Sequence, residues 1–222
     1  MLVRPVPDIT WRHDSVLYHI KTALTLHISS RSKHFISQIK THHISQSFVK
    51  VGSTLSALCR KKAPKNRQTE LDGATDWTIL TDFDQDNYVF PPEILSTNLR
   101  PDILIWSQNQ HKVIMIELTC PAEEGMSAAQ TLKESRYLPL ITDIKNTRKW
   151  TIRFFTIEVG ARGFVNTSFW KCCLALGMPR ATTMKLCKTV SLVAAKCSYA
   201  IYLAANSILW EDNKSVLCIE DV

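Results

Sequence analysis

The stretch KVIMIELT, residues 112 to 119, limits the possible folds more than any other part of the chain. Val113, Ile114, Met115, Ile116 and Leu118 make both faces of an extended strand apolar, with Glu117 as the only carboxylate among them. A strand without a wet face must be covered on both sides, so this run predicts the centre of a sheet flanked by helices.

Three further runs are β-rich: WTILT (77 to 81), DILIW (102 to 106) and WTIRFFTIEV (150 to 159). The polar connection SQNQH between DILIW and KVIMIELT has hairpin length, so those two strands are expected to pair antiparallel. Between the third and fourth strands, Met126, Ala129, Leu132, Lys133 and Tyr137 recur at helical spacing, which predicts a crossover helix ending near Pro139. Near the start, Val16, Leu17, Ile20, Leu24 and Ile28 predict an amphipathic helix capped by Asp14, with a weaker helical pattern over Phe35 to Val49. After the turn GARG (160 to 163) a helix runs through Phe169 and Leu176 and is stopped by Gly177 and Pro179. A last helix over 180 to 209 carries the stripe Leu186, Val190, Val193, Cys197, Ile201, Ala204 and Ile208, which reads as core.

At 222 residues the chain suffices for one core plus appendages. The expected division is a basic N-terminal helical region and linker (1–68), an α/β core (69–210) and a tail (211–222). The formal charge of +7 is unevenly spread: residues 1–68 hold 12 basic and 2 acidic side chains, 69–124 hold 2 and 11, and 125–222 hold 13 and 7. An acidic middle between basic flanks suits collection of a cation beside bound phosphates, and equally a soluble protein with an acidic loop. RKKAPKNRQ (60 to 68), with Lys61 and Lys62, has no periodicity and reads as a flexible basic linker or arm, and residues 31–68 together are the expected phosphate-binding arm.

The seven cysteines are an odd number without zinc-site spacing, so neither a disulfide framework nor a zinc site is expected. No leader pattern is present, and the longest apolar tract, Val193 to Ala205, is interrupted by Lys196 and Ser198. The expectation is an intracellular, soluble protein with no membrane association.

Asp102 opens the second strand and Glu117 lies near the end of the third, with 14 residues between them. In an antiparallel hairpin those two positions converge. Two hard oxygen ligands at one sheet end can hold Mg²⁺ or Mn²⁺, completed by waters and a substrate phosphate. The same spacing also fits two ordinary strand-end acids.

RPDILIW and IELTCPAEE, which leave 14 residues between Asp102 and Glu117, resemble the PD-(D/E)XK nuclease superfamily, and more closely the restriction-like endonuclease domain of site-specific non-LTR retrotransposons. The helix residues Ala129, Lys133, Arg136 and Tyr137, the segment EVGARGF (158 to 164) and the opening WRHDSVL (11 to 17) are similar to further motifs of that domain, in the same order. The resemblance implies a restriction-endonuclease-like core: a mixed sheet of about four strands flanked by helices, with an extra N-terminal helical region and a long C-terminal helix. It implies a metal-dependent endonuclease that nicks DNA, acting in the nucleus, with the reverse transcriptase of a parent element as a partner.

Asp102 and Glu117 would be metal ligands, with Glu123 as a further ligand or a helix cap. The signature lysine is replaced by Thr119, and the resemblance implies that Lys133 supplies the ammonium; Lys133 as a solvated helix residue is the alternative. Arg100, Arg136, Tyr137 and Arg162 are the expected phosphate contacts, although Tyr137 also suits burial against the sheet. The zinc knuckle and reverse transcriptase that precede this domain in the family are not among these residues, so the chain is expected to be a C-terminal piece or captured copy of such an element. A catalytically inactive nucleic-acid-binding remnant is the alternative function, and an interaction remnant without nucleic-acid affinity a third.

Overall fold

KVIMIELT forms strand β3, Lys112–Thr119, and its six middle residues are all buried. In this computed structural model, which describes residues 9–41, 68–82 and 88–205, β3 is one of the two inner strands of a four-stranded sheet in the order β1-β2-β3-β4. Strand β2, Ile103–Ser107, pairs antiparallel with β3 with Ile103 opposite Ile116. The expected hairpin is therefore present. Strand β1, Thr78–Thr81, adds antiparallel to β2, and β4, Thr151–Glu158, lies parallel to β3 with Glu117 opposite Thr156 and Thr119 opposite Glu158. The parallel pairing requires a crossover, supplied by helix α2, Met126–Asn146.

Alternation along the strands divides the core in two. Ile103, Ile105, Ile114, Ile116, Leu118 and Ile157 face a cluster built with helices α1 (Ile9–Thr41), α3 (Thr167–Ala175) and α4 (Arg180–Ala205). Leu104, Val113, Met115 and Ile152 face the opposite cluster, covered by Tyr137, Leu140 and Ile144 of α2 and by Phe90 and Ile94. Each such side chain contributes roughly 1.5–3 kcal/mol when fully buried, so the two clusters are what keep both faces of β3 dry.

Several details differ from the sequence reading. Helix α1 runs unbroken from Ile9 to Thr41, so Asp14 lies inside it instead of capping it. The second pattern, from Phe35, starts within that same helix; its part beyond Thr41 lies outside the described residues, as do Lys61 and Lys62 in the basic arm and the 211–222 tail. Val16, Leu17, Ile20, Leu24 and Ile28 of α1 are buried in the same cluster as the sheet, which makes this helix a wall of the core.

Helix α2 continues through Pro139 to Asn146. Proline lacks the N–H that would bond to the Ser135 carbonyl, but Leu140 and Ile144 beyond it are buried, and that packing outweighs the missing bond. The inward stripe is Met126, Lys133, Tyr137, Leu140 and Ile144, leaving Leu132 69% exposed. Helix α4 is long and apolar enough to cross a membrane by length and composition alone, and its Val190, Val193, Ala194 and Cys197 are buried in the core.

Candidate active site

Asp102 directly precedes β2, and Glu117 lies two residues before the end of β3. Strand alternation places Asp102 with Leu104 and Glu117 with Met115, so both carboxylates belong to the face covered by α2. They are interlocked through the backbone: the Asp102 amide donates to Glu117 Oε2 at 3.1 Å, and the Leu118 amide donates to Asp102 Oδ2 at 2.6 Å. Glu117 is only 2% exposed.

Lys133, on the inward stripe of α2, donates its ammonium to Glu117 Oε1. Burial pushes the Glu117 carboxyl above the usual range and the neighbouring Asp102 adds to this, while Lys133 and the Asp102 amide pull it back. The expected juxtaposition of Asp102, Glu117 and Lys133 is thus present.

Two tyrosines hold the segment leading into Asp102. The Tyr137 hydroxyl donates to the Arg100 carbonyl at 2.8 Å, and the Tyr88 hydroxyl donates to the Pro101 carbonyl at 2.7 Å. Tyr137 is fully buried, so the expected phosphate contact by this residue is replaced by a structural one: the ring packs 5.4 Å from Phe154 and its hydroxyl anchors the strand. Burial first, and then the nearby Glu117, push its phenol well above the ordinary value. Arg136 is exposed on α2 with its guanidinium 5.7 Å from the Tyr137 ring centre. The Arg100 guanidinium lies 3.9 Å from Asp82.

Glu123 does not join the acidic pair. The Arg162 amide donates to its Oε1 at 2.7 Å and Arg162 Nε to its Oε2 at 2.8 Å, while Arg162 Nη2 reaches Glu124. A Cβ on Gly160 would sit 2.5 Å from Glu123 Oε1, so the glycine is what admits this carboxylate against the 160–163 turn. Glu123 therefore latches two loops together, correcting the expectation of a ligand. Arg162 is 70% exposed but already faces two carboxylates, which offsets the charge expected to meet phosphate.

The Thr119 hydroxyl, at the end of β3, is buried without a hydrogen-bond partner. Its register neighbour Glu158 is fully buried, with Oε2 held by Asn166 and Ser168 and Oε1 without a partner. Such orphaned groups cost about 1–3 kcal/mol each.

The sequence reading passed over His13 and Tyr88. His13 Nε2 lies 3.3 Å from Asp102 Oδ2, and its Nδ1 3.0 Å from Asp14 Oδ1. Burial alone would lower its pKa, but the bonds to Asp102 and Asp14 outweigh burial and raise it to about 10. At neutral pH both ring nitrogens then carry a hydrogen, matching a carboxylate on each side. The adjacent His-Asp pair in WRHD was the available signal; Tyr88, in a stretch without periodicity, gave none.

The two carboxylates are hard oxygen donors, but both Glu117 oxygens are already met, by the Lys133 ammonium and the Asp102 amide, which leaves Asp102 as the carboxylate with an uncommitted oxygen. Oδ1 of Asp102 receives no donor from any described residue, and it stands beside a second carboxylate. Among the described residues no group of three or more His, Cys, Asp or Glu is arranged to hold a metal. No protein-family model matches the chain, and no curated protein matches it.

Proposed function

We propose that this chain is a metal-dependent DNA endonuclease with a restriction-endonuclease-like core, derived from a non-LTR retrotransposon and acting on nuclear DNA. The observation that carries this reading is the interlock of Asp102 and Glu117 on one face of the β2–β3 hairpin, with the Lys133 ammonium on the same carboxylate. Asp102 and Glu117 would hold Mg²⁺ or Mn²⁺, which when bound supplies Lewis acidity toward the scissile phosphate and lowers the pKa of the attacking water. Lys133 places a positive charge where the phosphate becomes more negative in the transition state. Arg136, exposed on the same helix, is suited to hold a flanking phosphate. A single site nicks one strand.

The test is relaxation of supercoiled plasmid by purified protein in Mg²⁺. Wild type should produce the open circle and Asp102→Ala should not; no relaxation by wild type, or equal relaxation by the variant, removes the enzyme. The buried, unpaired Thr119 hydroxyl favours a second reading, a binding module that has lost catalysis. That reading gives DNA binding that weakens steeply with salt, with no nicking.

A further inference from the structure

The acidic pair is built by the hairpin, but the orientation of Asp102 is also set by helix α1. Oδ2 of Asp102 receives two contacts, from the Leu118 amide at 2.6 Å and from His13 Nε2 at 3.3 Å. With Oδ2 so engaged, Oδ1 is the oxygen open to a ligand. The imidazole is itself braced from behind, because Nδ1 meets Asp14 Oδ1 at 3.0 Å.

The turn of α1 carrying it is fastened by Arg12, which is 8% exposed. Arg12 Nη2 donates to the Cys120 carbonyl just past β3 at 2.6 Å, and Nη1 to Ser198 Oγ of α4 at 3.0 Å. A ring held on both sides, on a helix turn bolted to two other elements, is a preorganised support.

We propose that His13 is a positioning residue of the cation site, fixing the rotation of the Asp102 carboxylate so that Oδ1 is presented to a divalent ion. This rests on the cation-binding reading of Asp102 and Glu117, and it makes α1 part of the functional apparatus as well as of the core. His13 acts through Asp102 and is not itself a ligand. A side chain merely tying α1 to the sheet would leave cation affinity unchanged once the protein is folded.

The experiment is Mn²⁺ binding, followed by loss of the free-ion electron paramagnetic resonance signal, on the full chain and variants whose melting curves confirm folding. Wild type should bind and Asp102→Ala should lose binding. His13→Ala should weaken affinity at least about 10-fold, as loss of an outer support commonly does, and His13→Gln, which restores a donor near the Nε2 position, should recover most of it.

In wild type alone, the ring resonances of His13, assigned by triple-resonance spectroscopy of the isotope-labelled protein, should shift on titration with Mg²⁺. This readout does not depend on a variant folding. Binding absent in wild type, or unaffected by Asp102→Ala, overturns the cation site and the proposal with it. Binding that needs Asp102 but is equal in His13→Ala, or His13 resonances unmoved by Mg²⁺, overturns the positioning role and leaves the cation site standing.

Discussion

Lys133 lies 16 residues beyond Glu117 in sequence, yet its ammonium bonds to Glu117 Oε1, because the crossover helix turns its Met126–Lys133–Tyr137 stripe onto the face of the sheet that carries the carboxylate. This deeply buried carboxylate is supported in its charged state by the Lys133 ammonium and the Asp102 amide, with the Tyr137 hydroxyl nearby. Lys133→Met removes the stronger and keeps most of the packing. It should cost about 1–3 kcal/mol of stability at neutral pH, read from urea unfolding. Plasmid nicking should fall by about 100-fold or more, and a nicking rate equal to wild type would remove Lys133 from catalysis.

Tyr137→Phe keeps the ring that fills the core beside Phe154 and deletes only the hydroxyl that holds the Arg100 carbonyl. The stability loss should be about 1 kcal/mol. Because the segment leads straight into Asp102, nicking should fall by more than that loss of folded protein accounts for. Parallel urea titrations and nicking rates separate the two effects.

Gly163 has φ of +95°, and a Cβ there would lie 2.7 Å from the Ser191 carbonyl oxygen of α4. That neighbour is helix backbone and cannot give way easily. Gly163→Ala should therefore destabilise by roughly 1–3 kcal/mol, measured by chemical unfolding. By contrast, Gly125, whose added Cβ would meet Pro121 only at 3.9 Å, should accept alanine with little change.

His27 gives a pH dependence of definite sign. Burial lowers its pKa below 6.5, with the Leu176 carbonyl opposing this and the Arg31 charge adding to it. The unfolded chain binds the proton more readily than the folded one, so the His27 contribution is fully present above pH 6.5 and is lost as pH falls through the lowered folded value. His27→Gln should remove that component. Unfolding free energies from pH 8 to 5 should fall less for the variant than for wild type; parallel curves would discount His27.

The sheet was legible because β3 is apolar on both faces and its partner is joined by a short polar connection, so pairing and burial follow from local pattern. The meeting of Asp102 with Glu117 followed from that hairpin. Lys133 needed the family resemblance, since a helical lysine carries no local sign of which way it faces. His13 was missed because its partner is 89 positions away, and contacts of that range leave no periodicity to read. Glu123 was left open between a ligand and a helix cap for a related reason: Arg162, which takes its carboxylate, arrives from a turn 39 positions on. Pro139 misled because the core packing beyond it is a tertiary effect that local propensity does not register.

The burial of α1 against the sheet and α4 changes where this protein can be divided. The charge profile suggests trimming everything up to residue 68, yet such a deletion would strip five apolar side chains from the main cluster and lay open a groove lined by Ile116, Leu118, Val190 and Val193. A fragment of that kind should clump before it could be assayed, and its inactivity would say nothing about the chemistry of the hairpin. The shortest informative version keeps the N-terminal helix and treats the basic stretch after it as an insertion between two parts of one folding unit.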